Sequence, residues 1–357
     1  MIDTQDIRAA VAAGLISERQ AAGLTALAHA RTGARENLEP GDEPFELFRG
    51  FNEIFIMVGL TILATGWVAV IGVFVAGELA SWRSTLLSMS LISGGLIWLL
   101  AEYFIRRRRM IGPAILLTLM FTAVAAFGLA NWLAQVFMVA REDYSSLIAP
   151  GLLTVAAVAL FWWRFRVPFA MAIMALGLFA TALTAAATRA GTPQSVQDIF
   201  VFSADGSLAW ITIALGLATF AVAMIFDASD PHRVTRRSAQ GFWLHLVASP
   251  MIINTVALNV IETGGEQANI VLVVLMALFG LVAVVIDRRS FLLAAITYVV
   301  GVIVTLYPAG DGANFAWLIL GLGLFLVVLG AFWARIRATI LAVLPLGRVR
   351  AWLPPAH

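Results

Sequence analysis

Ten stretches of about twenty mostly apolar residues, separated by short polar connections, dominate the sequence and restrict the environments it can fold in. A helix needs about 20 such residues to cross about 30 Å of hydrocarbon. On that measure the spans run at about Ile54–Gly77, Leu86–Ile105, Ile111–Phe137, Leu147–Trp163 and Pro168–Thr188. The second five are Leu208–Asp227, Phe242–Ile261, Ala268–Asp287, Phe291–Pro308 and Ala313–Trp333. None alternates with the period of two that an outer-membrane barrel strand requires. Apolar residues make up 61% of the 357 and charged residues 12%. A soluble domain holds about 45–50% and about 25%. The expected fold class is all-α: a polytopic membrane helix bundle of about ten transmembrane helices, with a short cytoplasmic N-terminal helical hairpin.

Orientation follows from arginine, because cytoplasmic loops accumulate positive charge. All 23 basic residues are arginine. Twenty fall before the first span, after the even-numbered spans and in the tail, whereas only Arg83, Arg141 and Arg189 fall on the other side. Both termini are therefore expected in the cytoplasm of a bacterial inner membrane. The formal charge of +2 conceals an arrangement in which the arginine-rich side is basic and the opposite side acidic. Trp82, Trp162, Trp163, Trp210, Trp243, Trp317 and Trp333 sit at or just outside span ends, where an amphipathic ring suits the headgroup layer. Trp67 and Trp98 lie deeper and read as packing residues.

Four regions follow. Residues 1–35 hold two short helices, one capped by Thr4 and ended by Gly14, the next opened by the capping box Ser17-x-x-Gln20. Each has an apolar face, so a cytoplasmic hairpin that docks on an unidentified protein partner or dimerises is expected. Its arginines are diluted by acids, so no nucleic acid is expected as a partner. Residues 36–52 form an acidic linker and an interfacial half-helix around Phe45, Leu47, Phe48 and Phe51. Residues 53–334 are the transmembrane bundle in its lipid bilayer. Residues 335–357 make a basic amphipathic cytoplasmic tail, expected on anionic inner-leaflet lipids. The first fifty residues are polar, so no cleaved signal is expected and the first span serves as an uncleaved anchor.

Two segments carry a resemblance. Gly14-Leu-Ile-Ser-Glu-Arg-Gln20, with Glu43-Pro-Phe-Glu-Leu-Phe-Arg-Gly-Phe-Asn-Glu-Ile-Phe55, resembles the start of bacterial multi-pass proteins of the domain of unknown function 2157 type. The stretch from Asp230 through Arg233-Val-Thr-Arg-Arg237 to Phe242-Trp-Leu-His245 is similar to uncharacterised bacterial membrane proteins. The resemblance implies a bacterial inner-membrane protein and no particular activity.

Ionisable groups in spans are expensive and single out candidate sites. Glu53, Glu102, Asp227 and Asp287 all fall at expected cytoplasmic span ends. The nearest arginines suggest interfacial pairs of Glu102 with Arg106, Asp227 with Arg233 and Asp287 with Arg288. No carboxylate lies near a midplane, which argues against an ion-coupled pump. Neutral polar residues do reach the interior: Asn131 and Gln135 in the third span, and His245, Ser249, Pro250 and Asn254 in the seventh. Pro250 breaks the hydrogen-bond ladder, and such breaks often line cavities. The same groups also serve for bonding between helices. His245 has no second histidine or carboxylate in its own helix, which suits packing better than metal or haem. Small-residue faces such as Ala214, Gly216 and Ala218 permit close helix approach.

With no cysteine, no lysine and no catalytic motif, neither an enzyme nor a cofactor is expected. Two functions remain: an uncoupled carrier of a small solute or lipid through the third and seventh spans, or a membrane anchor, sensor or scaffold acting through its N-terminal hairpin.

Overall fold

The structure, a computed structural model, describes residues 4–17, 20–21, 24, 27, 51–77, 81–193, 195, 197–202, 207–231, 233, 235–289, 296, 300, 312–345 and 347–354. The described residues are helical with no strand among them. A short helix α1 (Thr4–Ala12) precedes the bundle. Ser17 and Gln20 exchange the bonds of a capping box, with Ser17 N donating to Gln20 Oε1 at 2.9 Å and Gln20 N to Ser17 Oγ at 3.3 Å. Of the expected second helix, Gln20, Ala21, Leu24 and Leu27 are helical, and the other residues from there up to Gly50 lie outside the described residues.

The bundle begins with α2 (Phe51–Gly77), α3 (Trp82–Ala101) and α4 (Ile111–Leu133). It continues through α5 (Ile148–Phe165), α6 (Phe169–Ala190), α7 (Leu208–Ser229) and α8 (Arg236–Thr263). These seven are long and apolar enough to cross a membrane. Helix α9 (Gly265–Ile286) is also apolar. Beyond it, α10 (Gly312–Ala331) and α11 (Trp333–Val343) meet at Phe332, with a bend of 79° between Gly323–Ala331 and Trp333–Val343; counted as one broken span, they make eight. The expected ninth span, Phe291–Pro308, lies outside the described residues apart from Ile296 and Val300.

Of the boundaries that differ from the hydropathy reading, two have a local physical reason. Helix α3 runs on through one π-helical stretch, Glu102–Arg107, which brings charged residues into a helix that hydropathy ends at Ile105. Helix α8 starts six residues before the expected Phe242. Thr235 Oγ1 accepts from Arg237 N at 3.1 Å, a side-chain cap on an otherwise unpaired N–H. Pro250 lies inside α8, and the helix runs through it unbroken.

The first core lies between α2, α3, α4 and α5. Leu60, Ile97, Leu117, Phe161 and Phe165 are buried there. The Trp98 ring meets Phe161 and Phe165 edge-on at centroid distances of 5.9 and 5.0 Å, and Phe121 stacks on Phe161 at 4.8 Å. Trp67 Nε1 donates to Ser93 Oγ at 2.7 Å, so the deep tryptophans pack as their depth suggested. Glu53, 3% exposed, accepts from Gly112 N at 3.1 Å at the start of α4, where a carboxylate opposes the helix dipole.

The second core gathers Ile252, Ile253, Leu272, Met276, Leu341 and Leu353. Helices α7 and α8 pack closely: a Cβ on Gly216 would stand 3.0 Å from Met251 Cβ and 3.1 Å from Ile252 Cγ1. Outside these cores the spans present apolar side chains outward, among them Val73, Trp163, Ile225, Trp317 and Leu324. A surface of that kind is the mark of a helix bundle solvated by lipid.

Replacing Phe161, which is fully buried, by alanine removes the ring on which Trp98 and Phe121 converge. The expected cost is about 3–5 kcal/mol. Thermal unfolding in detergent should show a clear fall for Phe161→Ala and almost none for Leu324→Ala on the outward face.

Candidate functional site

Three residues of the second half, Ser238, His245 and Arg288, gather around one carboxylate, Asp227, at the arginine-rich end. Asp227 lies in the last turn of α7 and is 5% exposed. On α8, Ser238, Gly241 and His245 are spaced i, i+3 and i+7, which places them on one helix face. That face meets Asp227. His245, fully buried, sets Nε2 2.9 Å from Asp227 Oδ2, and its ring packs edge-on against Phe220 at 5.3 Å. Gly241 leaves the space the carboxylate occupies, since a Cβ there would reach into Oδ1 and stand 3.2 Å from Cγ.

The third partner arrives from the end of α9. Asp287 takes a left-handed conformation at φ 57°, which turns the chain so that Arg288 points back into the bundle. Arg288 Nε donates to Asp227 Oδ2 at 2.9 Å, and Nη2 donates to Oδ1. The same Nη2 donates to the Ser238 carbonyl at 2.9 Å. One bidentate guanidinium therefore joins α7, α8 and the end of α9, the geometry in which arginine binds a carboxylate most strongly.

A second tier covers the first. Arg233, in the connection before α8, pairs with Asp287 Oδ2 at 2.8 Å and donates to the Asp287 carbonyl at 2.7 Å. Burial, and then the nearby Arg288, lower its guanidinium from the usual value, while Asp287 and Asp227 oppose the shift. Asp230 holds this connection by accepting from Thr235 N and Oγ1, both at 2.8 Å. Trp333 Nε1 donates to Asp287 Oδ1 at 2.7 Å. Arg337, 4% exposed, donates to the Val284 carbonyl at 3.1 Å and the Pro354 carbonyl at 2.5 Å. Side chains from elsewhere thus reach the last carbonyls of α9, among them that of Val284, which also accepts from Asp287 N at 3.3 Å.

The pairing differs from proximity in the sequence. Asp227 takes Arg288 and Asp287 takes Arg233, an exchange of the two expected partners. Within the tail, Arg337, Leu341 and Leu353 are buried against α9 and the second core. Glu102 lies 3.3 Å from Arg106, one turn on, and 2.7 Å from Arg164 of α5.

The neutral polar residues are dispersed. Asn131 Nδ2 donates to the Phe127 carbonyl of its own helix at 2.8 Å, and the Gln135 side chain is exposed beyond the end of α4. Ser249 is buried and Asn254 half-buried on α8. Helix α6 contacts both α4 and α8 and stands between the third and seventh spans. Asn259 fixes the connection before α7: Nδ2 donates to the Phe200 carbonyl at 2.8 Å and Oδ1 accepts from Phe202 N at 2.7 Å.

Two larger recesses flank this framework. One, of about 680 Å³, opens at the arginine-rich end between α3, α5, α7 and α8. The other, of about 620 Å³, lies at the opposite end between α6 and α7 and is lined largely by small apolar residues such as Ala182, Ala186 and Ala214. Neither is lined by Asn131, Gln135, Ser249 or Asn254. Among the described residues, no three histidines or carboxylates gather in a way that could hold a metal ion.

Fold and surface together are compatible with a multi-pass helical membrane protein. Comparison with models of known protein families, with curated proteins and with solved structures returned no match.

In the Asp227 cluster, Arg288→Met leaves a buried carboxylate with histidine alone. Removing one member of such a pair costs about 3–5 kcal/mol. Asp227→Asn added to Arg288→Met removes the stranded charge and keeps the contact to His245. Denaturation in mild detergent should find the double variant more stable than Arg288→Met alone. Additive losses would refute the pairing.

Proposed function

We propose that the chain is a non-transporting protein of the bacterial inner membrane, with both termini in the cytoplasm. Its bundle serves as an anchor and scaffold that presents the N-terminal hairpin to a protein partner. The reading rests on how the buried polar groups are used. His245 and Arg288 are both bonded to Asp227, and Asn131 bonds to its own helix. Groups committed to internal bonds hold helices together and offer little to a passing solute.

The competing reading is a carrier of a small solute or lipid, lined by Asn131 and Asn254. Its support is Pro250, which leaves a backbone carbonyl in α8 without its usual donor. The continuity of α8 and the position of α6 between the two spans weigh against it.

Two measurements separate the readings. Deletion of residues 1–35 should abolish the protein's effect in cells while leaving membrane insertion and thermal stability unchanged; full complementation would remove the hairpin from the mechanism. In reconstituted vesicles the intact chain should move no more solute or lipid than protein-free vesicles. Flux lost on Asn131→Ala or Asn254→Ala would establish the carrier instead.

A further inference from the structure

The recess at the arginine-rich end gathers six guanidinium groups from three separate connections. Arg106 and Arg109 follow α3, Arg164 and Arg166 end α5, and Arg236 and Arg237 open α8. Among the described residues, no carboxylate lines it. Glu102, beside the recess, bonds to Arg106 and Arg164. Arg166 lies over the Trp162 ring at 5.0 Å, and the Trp162 indole N–H, buried at the recess, finds no acceptor among the described residues. Such a set of donors suits an anion with several oxygen acceptors. Guanidinium pairs favour phosphate because its oxygens accept two parallel N–H bonds.

The walls indicate the source of the phosphate. Ile105, Phe165, Ile225 and Phe226 line the recess beside the arginines. Ile225 is 68% exposed, and with Leu217 and Ala221 it forms an outward apolar stripe spaced i, i+4, i+8 along α7. An acyl chain laid on this stripe would bring its headgroup to the recess. A soluble anion would use the arginines but not the stripe. The volume of about 680 Å³ lies within the range of small-molecule sites, about 300–1,000 Å³. Three arginine pairs around that volume exceed what one phosphodiester can engage.

We propose that this recess binds the headgroup of an anionic phospholipid carrying two phosphates, of the diphosphatidylglycerol type, with its acyl chains along α7. Basic pockets between transmembrane helices provide the charge and the depth such a headgroup requires. The site does not depend on whether the protein is a scaffold or a carrier.

The test uses the full chain in nanodiscs of phosphatidylcholine containing either diphosphatidylglycerol or phosphatidylglycerol at equal total charge. Lipid retention is read by native mass spectrometry and stabilisation by thermal unfolding. The intact protein should retain diphosphatidylglycerol at least tenfold over phosphatidylglycerol and unfold at a higher temperature with it. The triple variant Arg109→Gln, Arg166→Gln, Arg237→Gln should lose that preference, whereas Arg141→Gln at the other end should keep it. Arg166→Gln alone, read for partial loss, tests the site independently of the triple variant's folding. Soluble pyrophosphate should neither displace the lipid nor raise the unfolding temperature to the same extent. Equal retention of the two lipids by the intact protein, or an unchanged preference in the triple and single variants, overturns the proposal. Pyrophosphate matching the lipid would make this a soluble-anion site and overturns it as well.

Discussion

The second half of the bundle is organised around the burial of a single negative charge. Asp227 is almost wholly removed from solvent, where an isolated carboxylate is costly. Three features of the fold answer that cost. Gly241 removes the side chain that would collide with the carboxylate, His245 offers a ring nitrogen, and Arg288 supplies two guanidinium donors. Because these groups belong to α8 and to the end of α9, satisfying the charge also fixes how three helices stand. A buried pair of this type contributes little net stability relative to a well-packed apolar alternative, but breaking it is expensive. Its main physical effect here is to penalise arrangements that leave Asp227 without its partners.

Arginine suits this role in a way lysine would not. A guanidinium presents several donors in a fixed plane and stays charged when desolvated. Arg288 bonds a carboxylate and the Ser238 carbonyl with one side chain. Arg233 reaches both the carboxylate and the carbonyl of Asp287, and Arg337 reaches Val284 and Pro354. The same strategy recurs at the opposite end, where Arg83 Nη2 donates to the Ala134 carbonyl just beyond α4 at 2.5 Å. Helix termini within a low-dielectric layer leave carbonyls that water cannot easily reach, and these side chains take its place.

The seven long apolar helices were legible because hydropathy is a local property: a run of apolar residues identifies itself without reference to the rest of the chain. The salt bridge of Glu102 with Arg106 is local in the same sense, one turn apart on a helix. Asp227 with Arg288 is not, since 61 residues separate the two. Sequence proximity pointed Asp227 to Arg233, and only the left-handed turn at Asp287 redirects Arg288 inward. The face made by Ser238, Gly241 and His245 carried a readable signal, two small residues and a histidine at helical spacing. Its message was a close approach to another helix, and the identity of the approaching carboxylate was beyond it. The burial of Arg337 was hidden for a related reason: a basic residue in an amphipathic stretch reads as a surface group until a partner helix end is placed beside it.

The order of the chain gives the Asp227 cluster a history as well as a geometry. Asp227 and His245 are 18 residues apart, on adjacent helices that enter the membrane in succession. Arg288 follows His245 by 43 residues. At about 5–20 residues per second, synthesis leaves an interval of several seconds before the guanidinium exists. During that time the histidine is the only one of the two ring or guanidinium partners available to the aspartate. The hairpin of α7 and α8 therefore waits for its counter-charge, and the arrival of the end of α9 converts a provisional pair into a closed one.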